Sequence, residues 1–174
     1  KNSDSYYDRY ASSGIHHYMY LELESDSIGG PEAVGSSNNL DLASRVDMDF
    51  SVADGYTLTW YNDSGFTSIN GAQRFTLGYG SNIYFLTVSE GSRVVQRYLI
   101  DFYIKYDYYI SLYSNIYENE SYNEENRVRV IEGEKIAFSD LEQKAERDFE
   151  FDKWVYFNYD LGKYVEFGFD VAIY

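Results

Sequence analysis

The clearest hydrophobic pattern in the chain is a pair of alternating runs within Phe75–Phe102. From position 83 onward the residues alternate between two faces, which places Tyr84, Leu86 and Val88 on one side of a strand. The segment Ser89–Ser92 interrupts the run with turn residues, including a glycine that can adopt a positive φ. The return run has one face that is nearly all large and apolar: Val94, Gln96, Tyr98, Ile100 and Phe102. The pattern predicts a long β-hairpin buried on one side.

Three other runs alternate in the same way and predict further strands at Ile15–Ser25, Val46–Val52 and Tyr56–Tyr61. Between the first two, Asp26–Ser44 is rich in Gly, Ser and Asn and predicts a loop. Turn residues also follow Val52 and Tyr61. The side chains predicted to face the core are Met19, Leu21, Leu23, Val46, Met48, Phe50, Val52, Tyr56, Leu58 and Trp60.

These strands and the hairpin predict a β-sandwich domain over residues 15–105. Residues 1–14 are polar and tyrosine-rich without a clear period, so their order is not defined by the pattern. The side chains that could hold this segment against the domain are Tyr6, Tyr7 and Tyr10.

The hairpin also carries a family resemblance. Gly80 and Asn82 precede an alternating strand, the turn Glu90-Gly91-Ser92 follows, and the return strand contains Tyr98, Ile100 and Phe102. This order of residues resembles the closing half of a bacterial cadherin-like domain. The resemblance implies the last two strands of an immunoglobulin-like β-sandwich, used as a spacer or adhesive module in surface and secreted proteins.

A second pattern covers residues 106–174, and Tyr106–Tyr113 opens this unit with almost no linker. Its later motif residues are Val130, Gly133, Ile136, Phe149, Phe151, Trp154, Tyr156, Asp160, Gly162, Val165 and Phe167. They resemble the Listeria–Bacteroides repeat, also called the internalin-type B-repeat. The chain has Lys153 where that family commonly has glycine, and it lacks the family's usual closing strand. The resemblance implies a compact β-grasp-like unit of the kind found in tandem on bacterial surface proteins.

One short helix is expected within this second domain, at Phe138–Phe149. Ser139 is a candidate N-cap, and Glu142 three residues later would complete a capping box. The expected fold class is therefore all-β with one short helix, an immunoglobulin-like sandwich followed by a β-grasp-like repeat.

Composition narrows the range of partners. Aromatic residues make up 20% of the 174 residues, which favours pleated sheet over helix. The formal net charge of −15 disfavours binding to nucleic acid or to anionic lipid. The absence of cysteine excludes disulfides and thiolate chemistry. No apolar run approaches the roughly 20 residues that a membrane-spanning helix needs, so direct membrane insertion is not expected.

Three aspartates form a candidate calcium site. Asp47 and Asp49 share the outer face of a predicted strand, with Asp54 in the next turn, and carboxylate oxygens suit Ca²⁺. The sequence lacks the D-x-D-x-D-G loop of an EF-hand, however. A solvated acidic edge that prevents strand pairing is the preferred interpretation, and calcium is the alternative. No metal or cofactor is therefore expected.

Other candidate sites have structural interpretations. His16 and His17 point to opposite faces of a strand and cannot readily share one ion. The pair Glu22 and Glu24 has the chemistry of a glycosidase, but such spacing is common on amphipathic strands. Trp60 and Trp154 could stack on sugars, yet both are predicted to lie in the core. Outward tyrosines are better candidates for contacts, and the sequence does not choose among them.

These observations predict a non-catalytic module of a bacterial cell-surface or secreted protein, acting as a spacer or as an adhesive module toward host protein or glycan. The alternative is a carbohydrate-binding module of a secreted glycosidase. The chain begins with lysine and not methionine, so we expect a fragment or a mature form, with any signal peptide upstream. We also expect the chain to be a monomer within a longer multidomain protein.

Overall fold

The computed structural model describes residues 9–45, 47–111, 127–137 and 153–169. In these residues the regular structure is mostly β-strand, and no helix reaches seven residues. The expected all-β class is thereby confirmed. The predicted helix at Phe138–Phe149 lies outside the described residues. The chain divides into two compact units, Lys1–Tyr106 and Asp107–Tyr174.

The first unit is built around a four-stranded sheet. Its strands are β1 (His17–Leu23), β3 (Tyr56–Tyr61), β5 (Gly80–Glu90) and β6 (Arg93–Ile104). Their order across the sheet is β1-β6-β5-β3. Strand β1 runs parallel to β6, whereas β5 is antiparallel to both β6 and β3. The first and last strands of the unit are therefore neighbours.

The predicted hairpin is confirmed as β5 and β6. Glu90 pairs with Arg93 across the turn, and Gly91 has a φ of 58°. A bulge between Val88 and Ser89 shifts the register near the turn. An Arg93–Glu90 ion pair of 2.7 Å lies on the exposed end of the hairpin.

A second, shorter pair of strands packs against this sheet. Strands β2 (Leu40–Asp41) and β4 (Arg74–Phe75) are antiparallel to each other. The segment Asp26–Ser44, predicted to be a loop, contains β2 and short 3₁₀ turns, and Ile28 and Leu42 within it are buried. Side chains from both layers form the main core: Ile28, Leu40, Leu42, Trp60, Phe75, Leu77, Leu86, Ile100, Phe102 and Ile104.

The expectation that the hairpin is buried on one side only is wrong, because the opposite face of the large sheet is covered as well. Phe85 and Leu99 alternate with main-core residues along their strands and form a second cluster with Ile15. Tyr10 and Phe66 pack onto this cluster, with ring centroids 5.5 Å and 6.0 Å from that of Phe85. Tyr10 therefore holds the N-terminal segment against the sheet, whereas Tyr6 and Tyr7 lie outside the described residues.

The strand predicted at Val46–Val52 does not form. Residues 47 and 48 bend, and the following residues have no regular structure, while Val46 lies outside the described residues. Arg45 explains the bend, because its guanidinium binds both the Asp47 carboxylate and the carbonyl oxygen of Ser27. Met48 and Phe50 still pack against the main core as predicted, but Val52 is exposed.

Two more residues predicted to face the core are exposed. Met19 is 37% exposed because β1 is an edge strand, and only Leu21 and Leu23 farther along it contact the main core. Tyr56 is 41% exposed, and it pairs with Glu90 at the end of the hairpin, beyond the margin of the core. Alternation predicts which face a side chain occupies but not how far the opposing layer extends.

Within its described residues, 107–111, 127–137 and 153–169, the second unit contains two strand pairs. Strands β7 (Asp107–Ser111) and β8 (Arg127–Ile131) are antiparallel, as are β9 (Val155–Asn158) and β10 (Lys163–Glu166). Their common core consists of buried Val130 and Ile136 with the partly buried Ile110, Val128, Trp154, Phe167 and Phe169. Of the motif residues, Phe149 and Phe151 lie outside the described residues.

Candidate functional site

The three aspartates proposed as calcium ligands are not brought together. Asp47 accepts hydrogen bonds from Arg45, which hold the pKa of its carboxyl below the usual range. Asp49 lines a neighbouring cleft, and Asp54 lies in the turn before β3. Among the described residues, no group of three or more His, Cys, Asp or Glu side chains could hold a metal ion. Instead, Arg45 holds this acidic segment through its bonds to Asp47 and to the carbonyl oxygen of Ser27, a role that the sequence pattern does not predict.

The other polar candidates have structural partners. The ring of His17 stacks on Tyr98 at a centroid distance of 4.7 Å, and His16 is exposed. The ammonium group of Lys105 lies 3.3 Å from Glu22 and 3.8 Å from Glu24. This lysine relieves the repulsion between the two carboxylates, which lie near the C-terminal end of β1. Lys105 directly follows β6, and it lies beside the end of β1 because the two strands pair in parallel.

The tryptophans do not form a sugar platform. Trp60 is 2% exposed in the main core, and its ring centroid lies 5.1 Å from those of both Phe50 and Phe75. Trp154 is half-buried and packs against the core of the second unit. Both are therefore core residues, as predicted.

An open cleft of about 360 Å³ lies at the margin of the main core in the first unit. Its lining residues are Leu42, Arg45, Met48, Asp49, Phe50 and Gln73. Because the guanidinium of Arg45 is already bonded to Asp47 and to the carbonyl oxygen of Ser27, its charge is largely compensated. The cleft therefore lacks an uncompensated cationic group that would select an anionic ligand, and its acidic lining residue, Asp49, is exposed to solvent.

The most prominent exposed apolar surface in the described residues lies on the β9–β10 hairpin. Tyr159 is 89% exposed, Tyr164 is 68% exposed and Phe157 is 40% exposed. The ring of Phe157 lies between the other two, with centroid distances of 5.2 Å to both and edge-to-face geometry. We refer to Phe157, Tyr159 and Tyr164 as the aromatic hairpin face.

The hairpin pairing places these rings together. Phe157 and Tyr164 are cross-strand partners, and Tyr159 follows Phe157 by two residues, on the same side. At the turn, the backbone N–H of Leu161 donates to the Asn158 side-chain oxygen at 3.0 Å, and Gly162 has a φ of 61°. Glycine adopts this left-handed conformation without steric cost, so the turn holds the rings in register.

The other side of the same hairpin packs inward at Trp154 and Phe167, although Tyr156 on that side is 46% exposed. Trp154, Val165 and Phe167 alternate with the exposed residues, and Trp154 and Phe167 contact the core of the second unit. The N–H of Phe167 donates to the carbonyl oxygen of Trp154 at 3.0 Å, which extends the pairing beyond the strands. The exposed rings are therefore carried by an anchored element. Sequence reasoning missed this surface: the period-2 alternation on both sides of Gly162 groups the three rings on one side of the hairpin but does not show that this side is exposed.

Comparisons with known proteins give no further guide: no family model, no curated protein and no solved structure matches the chain. In the part of the chain that the structure describes, no helix has the length and apolar character to cross a membrane.

Proposed function

We propose that the first unit is an immunoglobulin-like β-sandwich. In that fold one sheet contains strands C, F and G as neighbours, and strands B and E are paired in the other sheet. The order β3-β5-β6 corresponds to C-F-G, and the β2-β4 pair corresponds to B-E. Strand β1 adds a parallel strand beside the last strand. This agreement in strand order supports the assignment.

A tyrosine contact is the observation that carries the proposal. The Tyr84 hydroxyl, on the strand that corresponds to F, donates to the backbone carbonyl of Thr76 at 3.1 Å, eight residues upstream. Immunoglobulin-like domains have such a tyrosine corner two residues before a core cysteine. Here that core position is Leu86, which pairs in register with the buried Trp60 on the strand that corresponds to C. Apolar packing takes the place of the disulfide in this cysteine-free chain.

Tyr84→Phe should lower the free energy of unfolding by about 0.5–1.5 kcal/mol, the usual net value of one hydrogen bond. Burial also raises the pKa of Tyr84 above its ordinary value of 10.0. The folded state thus holds this proton more tightly, so the contribution is complete below about pH 10 and is lost as the pH rises through the raised pKa. Denaturant unfolding at pH 7 and pH 11 measures both effects. If the free energy of unfolding falls between pH 7 and pH 11 by as much in Tyr84→Phe as in the wild type, the Tyr84 hydroxyl does not contribute in this way.

For the second unit we propose a B-repeat-like, β-grasp-like fold. Val130 and Ile136 are buried at the motif's apolar positions, and Trp154 packs against them. The motif glycines Gly133 and Gly162 have φ values of 86° and 61°, at turns where a side chain would be strained. These placements give Val130, Gly133, Ile136, Trp154 and Gly162 structural roles that fit the motif.

The function proposed for the whole chain is that of a non-catalytic module of a bacterial cell-surface or secreted protein. It would act as a spacer or as an adhesive module toward host protein or glycan, with no cofactor. Two consecutive β units, a strongly acidic composition and interiors filled by apolar and aromatic side chains support this role. The alternative, a carbohydrate-binding module of a secreted glycosidase, is favoured by one observation, the aromatic hairpin face.

Surface labelling tests the proposed location. Antibodies raised against the purified chain should label intact, unpermeabilised cells of the producing organism, or detect the protein in its medium. Signal found only after permeabilisation would contradict the proposal. The complete gene product separates the two alternatives, since a wall anchor or further repeats support the adhesive module and a glycoside hydrolase domain supports the carbohydrate-binding module.

A further inference from the structure

We infer that the aromatic hairpin face is a binding site for a neutral polysaccharide. This inference rests on the proposed function, because extended polysaccharides are available to a protein outside the cell. It assigns a ligand class and a location to the adhesive activity. The site comprises the rings of Phe157, Tyr159 and Tyr164.

The chemistry of the exposed rings suits a sugar. Aromatic rings carry partial negative charge on their faces, which attracts the weakly positive C–H groups on the apolar side of a pyranose. Tyrosine adds a hydroxyl at the ring edge and loses little conformational entropy on binding, because it has only two side-chain torsions. Glu166, on the same face as Tyr164, can accept hydrogen bonds from sugar hydroxyls.

Charge favours a neutral ligand. The described hairpin segment, 153–169, has two positive side chains, Lys153 and Lys163, and two negative ones, Asp160 and Glu166. The formal net charge of this segment is therefore zero. The chain as a whole has a formal net charge of −15. An anionic polysaccharide would be repelled by the chain without meeting a compensating basic patch on the hairpin, whereas a neutral chain of sugars meets no such barrier.

The size of the face favours a sugar over a protein. With 150–250 Å² for a complete aromatic side chain, the exposed fractions of the three rings offer roughly 400 Å². A stable protein interface buries about 800 Å² on each partner, twice this area. A few sugar units stacked on the rings need no more apolar area than the hairpin exposes. Exposed apolar patches of about this size on monomers are often functional.

Affinity electrophoresis in native gels tests the inference. The gels would contain hydroxyethyl cellulose, galactomannan or laminarin as neutral probes, polygalacturonate as an anionic probe, or no polysaccharide. The wild type should be retarded by at least one neutral probe and not by polygalacturonate. Tyr159→Ala and Tyr164→Ala should each raise the dissociation constant about tenfold or more, as truncation of a dominant contact does. Tyr159→Phe should bind nearly normally, since it keeps the ring.

Tyr56→Ala is the matched control, because it removes a tyrosine of the first unit that is 41% exposed. It should leave retardation unchanged. Since Tyr159 is 89% exposed, Tyr159→Ala should fold normally, and circular dichroism checks this.

Four results would overturn the inference: no retardation by any neutral probe, retardation by polygalacturonate alone, retardation unaffected by both alanine variants, or a dimer in light scattering that Tyr159→Ala dissociates. The last would make the face an interface between copies of the chain. None of these results contradicts the non-catalytic function. That function fails separately, if the purified chain releases reducing ends from the same polysaccharides.

Discussion

Trp60→Ala is expected to lower the free energy of unfolding of the first unit by about 3–5 kcal/mol, the range for truncating a buried large aromatic. Trp60 is 2% exposed and contacts the rings of Phe50, Phe75 and Phe102, which lie on separate segments. Removing the indole would leave a cavity lined by three rings that cannot all move inward. Since a domain is stable by only about 5–15 kcal/mol, this loss would remove between about a fifth and all of the stability of the unit. Urea titration followed by far-ultraviolet circular dichroism measures the loss.

Tyr56→Ala on the same strand is again the matched control. Its side chain is exposed at the end of the sheet, so the change in unfolding free energy should stay within about 0.5 kcal/mol. If the free energy of unfolding falls equally in the two variants, the ring contacts of Trp60 do not provide the stability inferred from them.

Asn82→Ala is expected to lower the free energy of unfolding by about 2–3 kcal/mol, because it leaves several backbone groups without their partner. The Asn82 side-chain oxygen accepts from the N–H of Gly78 at 2.8 Å. Its amide nitrogen lies 2.8 Å from the carbonyl oxygen of Gly78, 2.9 Å from that of Gly80 and 3.0 Å from that of Phe102. One half-buried amide thus joins the turn before β5 to the adjacent strand β6.

Asn62→Ala serves as the control for this substitution. The Asn62 amide is exposed and makes one long side-chain contact, 3.4 Å to the Ser68 hydroxyl, so its loss should cost little. Asn82→Asp distinguishes hydrogen bonding from side-chain size, since the carboxylate keeps the shape but turns an acceptor toward three carbonyl oxygens. An aspartate variant as stable as the wild type would show that the amide donors contribute little.

The structure gives a physical reason for two residues of the cadherin-like sequence pattern. Gly80 and Asn82 form its G-x-N motif at the start of β5. Gly80 has a φ of 81°, and a Cβ placed on it would lie 3.2 Å from the Tyr106 hydroxyl oxygen. The glycine is required by backbone conformation and the asparagine by the carbonyl oxygens around it. Neither requirement is visible in a linear sequence.

The aromatic hairpin face illustrates the opposite case. Its residues follow a simple alternation, yet inward and outward aromatics look alike in the sequence, since Trp154 and Phe157 both occur in the same run. Only the core of the second unit, formed by Val130 and Ile136, decides which side of the hairpin is covered. A functional surface made of hydrophobic residues is therefore hard to distinguish from a core by composition alone.

The sequence by itself determined the all-β class, the hairpin of β5 and β6, the strand β3 and the core positions of Trp60 and Trp154. These features depend on local alternation and on turn residues, which act between neighbours in the chain. Tertiary structure alone decided the parallel pairing of β1 with β6, the bend that Arg45 imposes at Asp47 and the exposure of Met19. Each of these depends on a partner distant in sequence, and a pattern of polar and apolar positions specifies the face of a strand without specifying what lies against it.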